Sequence, residues 1–224
     1  MNKKVEIIPA ILPKTFKELE ESVTSIQGLV KSVQVDICDG KFASNATWPY
    51  RKHDDSFEMI IREQQGLPSW EKLDYEFDLM VSNPSEVVDD WVKASAMRII
   101  IHVESKEVTE TLKKLENRVE IGLALNIETP ILAIEPFKDI VKFVQCMGIR
   151  HVGFQGQAFD GEVIGKIKEI KSQYPNLLVS VDGGVSLNNA GQLVEAGADR
   201  LVVGSAIFDS GNIVDTIRQF HNLV

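Results

Sequence analysis

Short apolar runs alternate with amphipathic stretches along the whole chain. In stretches such as "TFKELEESVTSIQGLV" and "GEVIGKIKEIKSQY", apolar residues recur at spacings of three and four, which predicts helices. The apolar runs between them are short and rich in β-branched residues, which predicts strands. Eight strands are predicted, over residues 5–12, 30–37, 73–81, 98–103, 120–126, 142–147, 176–182 and 200–206.

Strict alternation of apolar strands and helices indicates parallel β–α units rather than hairpins. Eight such units in 224 residues fit a closed (β/α)₈ barrel, the TIM barrel. A doubly wound open sheet is the main rival, but no G-x-G-x-x-G motif follows the first strand. No linker or change of composition interrupts the pattern, so we expect one domain over residues 1–224. The longest connection, residues 39–72, is expected to be functional or partly helical.

Charge and cysteine content narrow the classes of partner. The formal net charge is −9 and no long basic run is present, which argues against nucleic acid and anionic membranes as partners. No segment approaches the roughly 18 consecutive apolar residues of a membrane helix, and no signal peptide is predicted. The two cysteines, Cys38 and Cys146, exclude a disulfide scaffold and suit a reducing compartment. We therefore expect a cytoplasmic globular protein.

Several predicted strands place polar side chains where apolar ones would suit a core. In "SVQVDICDGKF", counting by two puts Gln34, Asp36 and Cys38 on one face of the strand and only apolar residues on the other. The third strand repeats the pattern with Glu76, Asp78 and Met80. Further polar residues close the fourth, fifth and seventh strands, namely His102, Asn126 and Asp182.

Three of these residues, Asp36, Asp78 and Asp182, are predicted to lie at equivalent depth near the carboxyl ends of their strands. The carboxyl ends of the strands form the active face of such a barrel. A lone inward aspartate is often structural, but neighbouring unpaired carboxylates destabilise a fold. They must share a proton, hold a cation or await a substrate, so this group predicts a site.

Glycine-rich segments follow the last three strands. Gly183–Gly184 follow the seventh strand, Gly204–Ser205 follow the eighth, and "GFQGQAF" (153–159) follows the sixth. A single glycine pair is typical of ordinary tight turns. Backbone amides at glycine turns and helix starts bind anions, and phosphate sites in these barrels lie after strands seven and eight. The three segments together predict a phosphate site.

The segments "IIPAIL", "VQVDICDGKF", "FDLMVSNP", "GFQGQAF", "VSVDGG" and "LVVGSAIF", in this order from Ile8 to Phe208, resemble ribulose-phosphate 3-epimerases. The resemblance implies a barrel of the ribulose-phosphate-binding type, usually a homo-oligomer, that epimerises a phosphorylated ketopentose at C3 through an enediolate. It implies Asp36 and Asp182 as the catalytic acid and base, a divalent metal, and substrate-binding or phosphate-binding roles for Gly183, Gly184, Gly204, Ser205, Gly153, Gly156, Gln157 and Met80.

The chain departs from the family pattern at positions that bear on chemistry. Gln34 and Asp78 stand where the family has two metal-ligand histidines, Ala10 replaces a substrate-binding serine, and Gln155 replaces a glycine of the phosphate loop. If a metal binds, its ligands would be oxygens of Gln34, Asp36, Asp78 and Asp182, which favour Mg²⁺ or Mn²⁺ over Zn²⁺.

Two metal-free alternatives remain open for this site. In one, Asp78 or Glu76 is protonated or pairs with a base such as Lys41 or Arg51. In the other, epimerisation is lost and only a phosphorylated ligand binds. A lone histidine such as His102 on an apolar strand is interpreted as a hydrogen-bonded wall residue rather than a ligand.

A different phosphosugar enzyme on the same barrel, a lyase or a decarboxylase, is an alternative function, and so is a non-catalytic phosphosugar binder. A lyase that works through a Schiff base would need an inward lysine, and no predicted strand supplies one.

Overall fold

The computed structural model describes residues 5–52 and 54–223. Residues 1–4, His53 and Val224, which the predicted domain of 1–224 includes, lie outside the described residues. Eight parallel strands pair in chain order, and β1 pairs with both β2 and β8, which closes the sheet. The predicted (β/α)₈ barrel is thus confirmed. The strands are β1 (Glu6–Ile11), β2 (Ser32–Cys38), β3 (Asp74–Met80), β4 (Arg98–His102), β5 (Glu120–Leu125), β6 (Phe143–Met147), β7 (Leu178–Asp182) and β8 (Arg200–Val203).

Helices cover the outside of the barrel. Short 3₁₀ turns, Pro84–Glu86 and Ile131–Ile134, follow β3 and β5. Among the described residues no helix has the length and apolar content needed to cross a membrane. The α-helices are α1 (Phe16–Ile26), α2 (Ser56–Ile61), α3 (Val88–Lys93), α4 (Val108–Leu115), α5 (Glu162–Gln173), α6 (Ala190–Ala196), α7 (Ser205–Phe208) and α8 (Ile213–Leu223).

The period-two pattern of β2 decides which side chains enter the barrel. Val33, Val35 and Ile37 belong to the large apolar cluster between the sheet and the helices. The alternate residues therefore point into the barrel, where the polar side chains of β2 meet those of the other strands. This parity is why an apolar strand carries inward carboxylates.

The long connection after β2 contains α2, so the expectation of a partly helical loop is confirmed. Its Trp48 is buried and packs against the rings of Phe16, Phe57 and Trp91. The Trp48 indole Nε1 donates to Ser56 Oγ at 2.8 Å. This tryptophan therefore anchors the loop to the helical layer and does not contribute to the barrel interior.

A charged layer lies at the amino-terminal end of the barrel. The carboxylate of Glu76 is fully buried and pairs with the guanidinium of Arg200, and its Oε2 lies 3.4 Å from Arg98 Nη1. Arg200 Nε lies 3.2 Å from Glu6 Oε2. Of the metal-free alternatives, the pairing of Glu76 with a base such as Lys41 or Arg51 is wrong, because arginines from β4 and β8 pair with Glu76 instead.

Candidate active site

The barrel brings the three predicted aspartates together. The register of β2 on β3 sets Asp36 beside Asp78, and Asp182 ends β7 on the far side of the interior. One carboxylate oxygen of each residue lies within 4.8 Å of the other two. The alternation of inward and outward residues along the strands thus produces one buried carboxylate cluster.

Gln34 bridges two of the carboxylates from below. Its amide Nε2 donates to Asp36 Oδ1 at 2.8 Å and to Asp182 Oδ2 at 2.7 Å. Both aspartates are therefore held against the same nitrogen atom. Among the residues described, Gln34 Oε1 is buried and has no hydrogen-bond donor.

A second amide, Gln145 on β6, was not predicted. Its Nε2 donates to Asp78 Oδ2 and to Asp182 Oδ2, each at 3.2 Å, and its Oε1 accepts a hydrogen bond from Ser180 Oγ at 3.3 Å. A polar residue at an inward position of "FVQCM" is the signal that could have identified it, as Gln34 was identified in "SVQVDIC".

His102 faces the cluster from β4. Its Nε2 lies 3.1 Å from Asp78 Oδ1, an ion-pair distance, although the N–H is not aligned for a hydrogen bond. Its Nδ1 lies 3.7 Å from Glu104 Oε2. Burial lowers the pKa of His102, but Asp78 and Glu104 outweigh it and raise that pKa to about 10. The raised pKa favours the imidazolium form of His102 at neutral pH, and in that form the side chain offsets one carboxylate.

Burial and the remaining negative charge raise the pKa values of the catalytic candidates. Burial and the neighbouring carboxylates Asp182 and Asp78 hold the pKa of Asp36 well above its usual range. Burial and Asp78 raise the pKa of Asp182 to about 7. A carboxyl group with a pKa near neutrality can both take and give a proton at physiological pH.

The cluster fits a divalent cation. Three carboxylates converge within 4.8 Å, and Gln34, whose Oε1 has no hydrogen-bond donor, would supply a fourth oxygen with its amide turned toward them. Carboxylate and amide oxygens are ligands of hard cations, and a cation would relieve the repulsion that raises the pKa values of Asp36 and Asp182.

Above the cluster lies a cavity that opens to solvent, with about 510 Å³ of empty space when its open mouth is included. Asp36 and Asp182 are 7% and 8% exposed and line it, whereas Gln34 and Asp78 are fully buried beneath it. All eight predicted substrate-binding or phosphate-binding residues line the same cavity: Met80, Gly153, Gly156, Gln157, Gly183, Gly184, Gly204 and Ser205. Its described lining contains no lysine or arginine.

The turn after β7 depends on its two glycines. Gly183 and Gly184 have φ angles of +98° and +68°, in the left-handed region that other residues rarely adopt. A Cβ on Gly184 would lie 2.7 Å from the Cα of Phe159. The glycines thus allow this turn to approach the loop after β6 and to form one wall of the cavity.

The loop after β6 crosses the mouth of the cavity. Gln155 Nε2 donates to the carbonyl oxygen of Ala10 at 3.0 Å, and a Cβ on Gly204 would lie 2.6 Å from that nitrogen. Asn45 Nδ2 donates to the carbonyl oxygen of Gly153 at 2.8 Å, which ties this loop to the one after β2. The two departures at positions 10 and 155 are therefore in direct contact.

Comparison with known proteins agrees with this geometry. Residues 6–208 match the model of the "Ribulose-phosphate 3 epimerase family". The chain is 30% identical to ribulose-phosphate 3-epimerase from Synechocystis sp. over 99% of this chain and 95% of that protein. It is 31% identical to chloroplastic ribulose-5-phosphate-3-epimerase from Arabidopsis thaliana, over 95% of this chain and 74% of that protein.

Among solved structures, KGPDC from Streptococcus mutans superposes with a TM-score of 0.70 at 13% identity, covering 98% of this chain and 96% of that one. At that identity the likeness shows the fold alone. The family model, which spans most of the chain, and the relatives at about 30% identity show more than the fold: the chain belongs to the ribulose-phosphate 3-epimerase family.

Proposed function

We propose that this protein interconverts ribulose 5-phosphate and xylulose 5-phosphate by moving a proton at C3. One observation carries the proposal: Asp36 and Asp182, from different strands, both reach the glycine-lined cavity and both accept a hydrogen bond from Gln34 Nε2. Two carboxyl groups from different strands that both reach one cavity can serve as the base and the acid that invert a carbon beside a carbonyl.

The reaction needs a base on one side of C3 and an acid on the other. The carboxylate of one aspartate removes the C3 proton, and the electron pair moves onto the C2 carbonyl oxygen to give an enediolate. The carboxylic acid of the second aspartate then donates its proton to the opposite face of C3. In the reverse direction the two residues exchange roles, so each must be stable in both protonation states, as the raised pKa values allow.

We propose that the phosphate group is held without a cationic side chain. The supporting observation is the lining of glycine turns, with Gly183, Gly184, Gly204 and Ser205 on one side and the 153–157 loop on the other. Backbone N–H groups in such turns can bind a dianion. Met80 would contact the sugar carbons between the phosphate end and the aspartates.

We propose that a divalent cation, Mg²⁺ or Mn²⁺ in preference to Zn²⁺, binds through Asp36, Asp78, Asp182 and Gln34 Oε1. When bound, it polarises the carbonyl oxygen and offsets the negative charge of the enediolate. Gln34 would have to turn its amide so that the oxygen faces the carboxylates. His102 holds Asp78 in place in either case.

The proposed function is tested by deuterium incorporation at C3 of ribulose 5-phosphate in D₂O. The enzyme is assayed with Mg²⁺, Mn²⁺ or Zn²⁺ and after chelation. We expect xylulose 5-phosphate carrying deuterium at C3, formed faster with Mg²⁺ or Mn²⁺ than with Zn²⁺. A protein that binds the ketose phosphate but exchanges no proton under any of these conditions would be a binder, and the proposal would be wrong.

We also propose that residues 1–224 act as one catalytic domain, as a homo-oligomer in the cytoplasm. Its two cysteines are both free, which supports a reducing compartment. Light scattering coupled to size-exclusion chromatography measures the oligomeric state. A Schiff-base lyase has no support here, because none of the eight strands contains a lysine.

A further inference from the structure

Gln145 is a fully buried side chain at the centre of β6, and it does not line the cavity. It therefore has no route to the substrate. Its amide nitrogen nevertheless contacts Asp78 and Asp182, the two carboxylates that approach each other from opposite sides of the barrel. Any effect of Gln145 on chemistry must pass through them.

Ser180 and the two carboxylates together set the orientation of the amide, because ionised carboxylates only accept hydrogen bonds and the hydroxyl can donate to the other end. The Ser180 hydroxyl, also fully buried, donates to Gln145 Oε1 at 3.3 Å. With the oxygen occupied in this way, the NH₂ group points at Asp78 and Asp182. The reverse orientation would set the amide oxygen against two carboxylate oxygens, which is electrostatically unfavourable.

Both amides donate to the same oxygen of Asp182. Gln34 Nε2 and Gln145 Nε2 lie 2.7 Å and 3.2 Å from Oδ2. Two N–H donors on Oδ2 fix the rotation of the carboxyl group about its Cβ–Cγ bond. Asp182 also lines the cavity, so its other oxygen, Oδ1, is the one available for a proton on C3.

We propose that Gln145 is a positioning residue: held by Ser180 and the carboxylates, it donates to Asp182 Oδ2 whether the Gln34 amide also donates there or turns toward a cation, so that Oδ1 carries the transferred proton. The amide also separates Asp182 from Asp78, which would otherwise repel it. The expected effect on kcat rests on the proposed epimerase function. The contact of Gln145 with Asp182 rests on the hydrogen-bond geometry alone.

The kinetic test compares Gln145→Met, which keeps the length of the side chain but removes the donor, with the wild type. We expect kcat to fall about 10- to 100-fold, the range for residues that orient a functional group. We expect KM for ribulose 5-phosphate to stay unchanged, because Gln145 does not line the cavity. Gln173→Met, the same change on the exposed face of α5, is the control and should leave both constants unchanged.

Ser180→Ala tests the orienting hydroxyl with little change in volume. It should lower kcat about threefold alone and have no further effect in a Gln145→Met background, because the two residues act in series. An unchanged kcat in Gln145→Met, a rise in KM without a fall in kcat, or additive effects of the two variants would overturn the inference. A purely structural role would lower the melting temperature and leave kcat per folded molecule unchanged.

A readout independent of turnover separates this inference from the proposed function. The side-chain ¹⁵N–¹H₂ resonances of Gln145 should be resolved in the wild type and should shift in Asp182→Asn. If the wild type turns over no ketose phosphate, the proposed function is wrong. The resonance shift would still show whether the Gln145 amide donates to Asp182. No shift would show that the amide does not donate to Asp182.

Discussion

Two buried polar layers lie inside this barrel, and they differ in the balance of their charges. The lower layer pairs Glu6 and Glu76 with Arg98 and Arg200, and the half-exposed Glu120 also contacts Arg98. The upper layer consists of Asp36, Asp78, Asp182 and His102, bridged by the neutral amides Gln34 and Gln145. It holds three carboxyl groups against one imidazolium.

Buried charges persist in a fold when partners compensate them, and in the lower layer Arg200 and Arg98 oppose the rise that burial causes in the pKa of Glu76. In the upper layer burial and the neighbouring carboxylates act in the same direction and raise the pKa values of Asp36 and Asp182. Only the upper layer opens to the cavity. We therefore interpret the lower layer as structural. In the upper layer the excess negative charge is left for a cation or a proton to neutralise, beside the cavity that would hold the substrate.

The largest expected effect comes from the upper layer. Asp182→Asn removes one proton carrier and should lower kcat about 10³-fold, within the range for loss of a general acid or base. The free energy of unfolding at pH 8 should not fall, because the substitution also removes a repelling charge. Steady-state assays and urea denaturation measure the two effects. A variant with near-normal kcat would show that Asp182 is not an acid or base.

The lower layer should respond in the opposite way. Glu76→Gln leaves the buried guanidinium of Arg200 without its main counter-charge and should reduce the free energy of unfolding by about 3 kcal/mol, with kcat of the folded enzyme unchanged. Glu21→Gln is the control, since Glu21 pairs with Lys17 on the surface of α1 and should contribute less than about 1 kcal/mol. Equal losses from both variants would refute the contrast between buried and exposed pairs.

The stability of the protein should fall as pH rises. Between pH 4 and 7 the folded protein retains a proton on Asp182 that the unfolded chain releases, because the folded pKa is raised from 3.8 to about 7. Between pH 6.5 and 10 the same holds for His102, whose folded pKa is about 10. Each group changes the free energy of unfolding by at most about 1.4 kcal/mol per pH unit within its window.

Urea denaturation from pH 5.5 to 8.5 measures this dependence. We expect Asp182→Asn to flatten the profile below pH 7, and saturating Mg²⁺ to reduce the slope in the wild type. A profile that rises toward pH 8.5 would contradict the sign of both pKa shifts.

The smallest effect is expected at the mouth of the cavity. Gln155→Ala removes an amide donor beside Gly204, where the phosphate is proposed to lie. The donor must leave the Ala10 carbonyl to reach a phosphate, so the net gain is about 1 kcal/mol, and KM should rise about fivefold with kcat unchanged. A fall in KM would instead identify Gln155 as an obstacle to the substrate.

The sequence predicted the barrel and the carboxylate cluster because both follow from periodicity. Alternation of strands and helices determines the topology, and the period of two places Asp36 and Asp78 on the inward face in matching register. The glycine turns were predicted because the left-handed backbone at Gly183 and Gly184 restricts the residue type.

Other features depend on contacts between distant segments, which no local pattern contains. The pairing of His102 with Asp78 and the contact of Arg200 with Glu76 join strands that lie apart in the chain. The reach of Gln155 to Ala10 depends on the path of an irregular loop. Gln145 differs from these features, because a polar residue at an inward strand position was a local signal that could have identified it.

The most direct test of proton transfer from two sides is deuterium exchange at C3 measured separately from each epimer. Ribulose 5-phosphate and xylulose 5-phosphate are each incubated in D₂O with Asp36→Asn or Asp182→Asn and followed by NMR. If the two aspartates act from opposite sides of C3, each variant exchanges the proton of one epimer without interconverting the pair, and the two variants differ in which epimer they exchange. Interconversion at the wild-type rate by either variant, or exchange of the same epimer by both, would contradict this assignment.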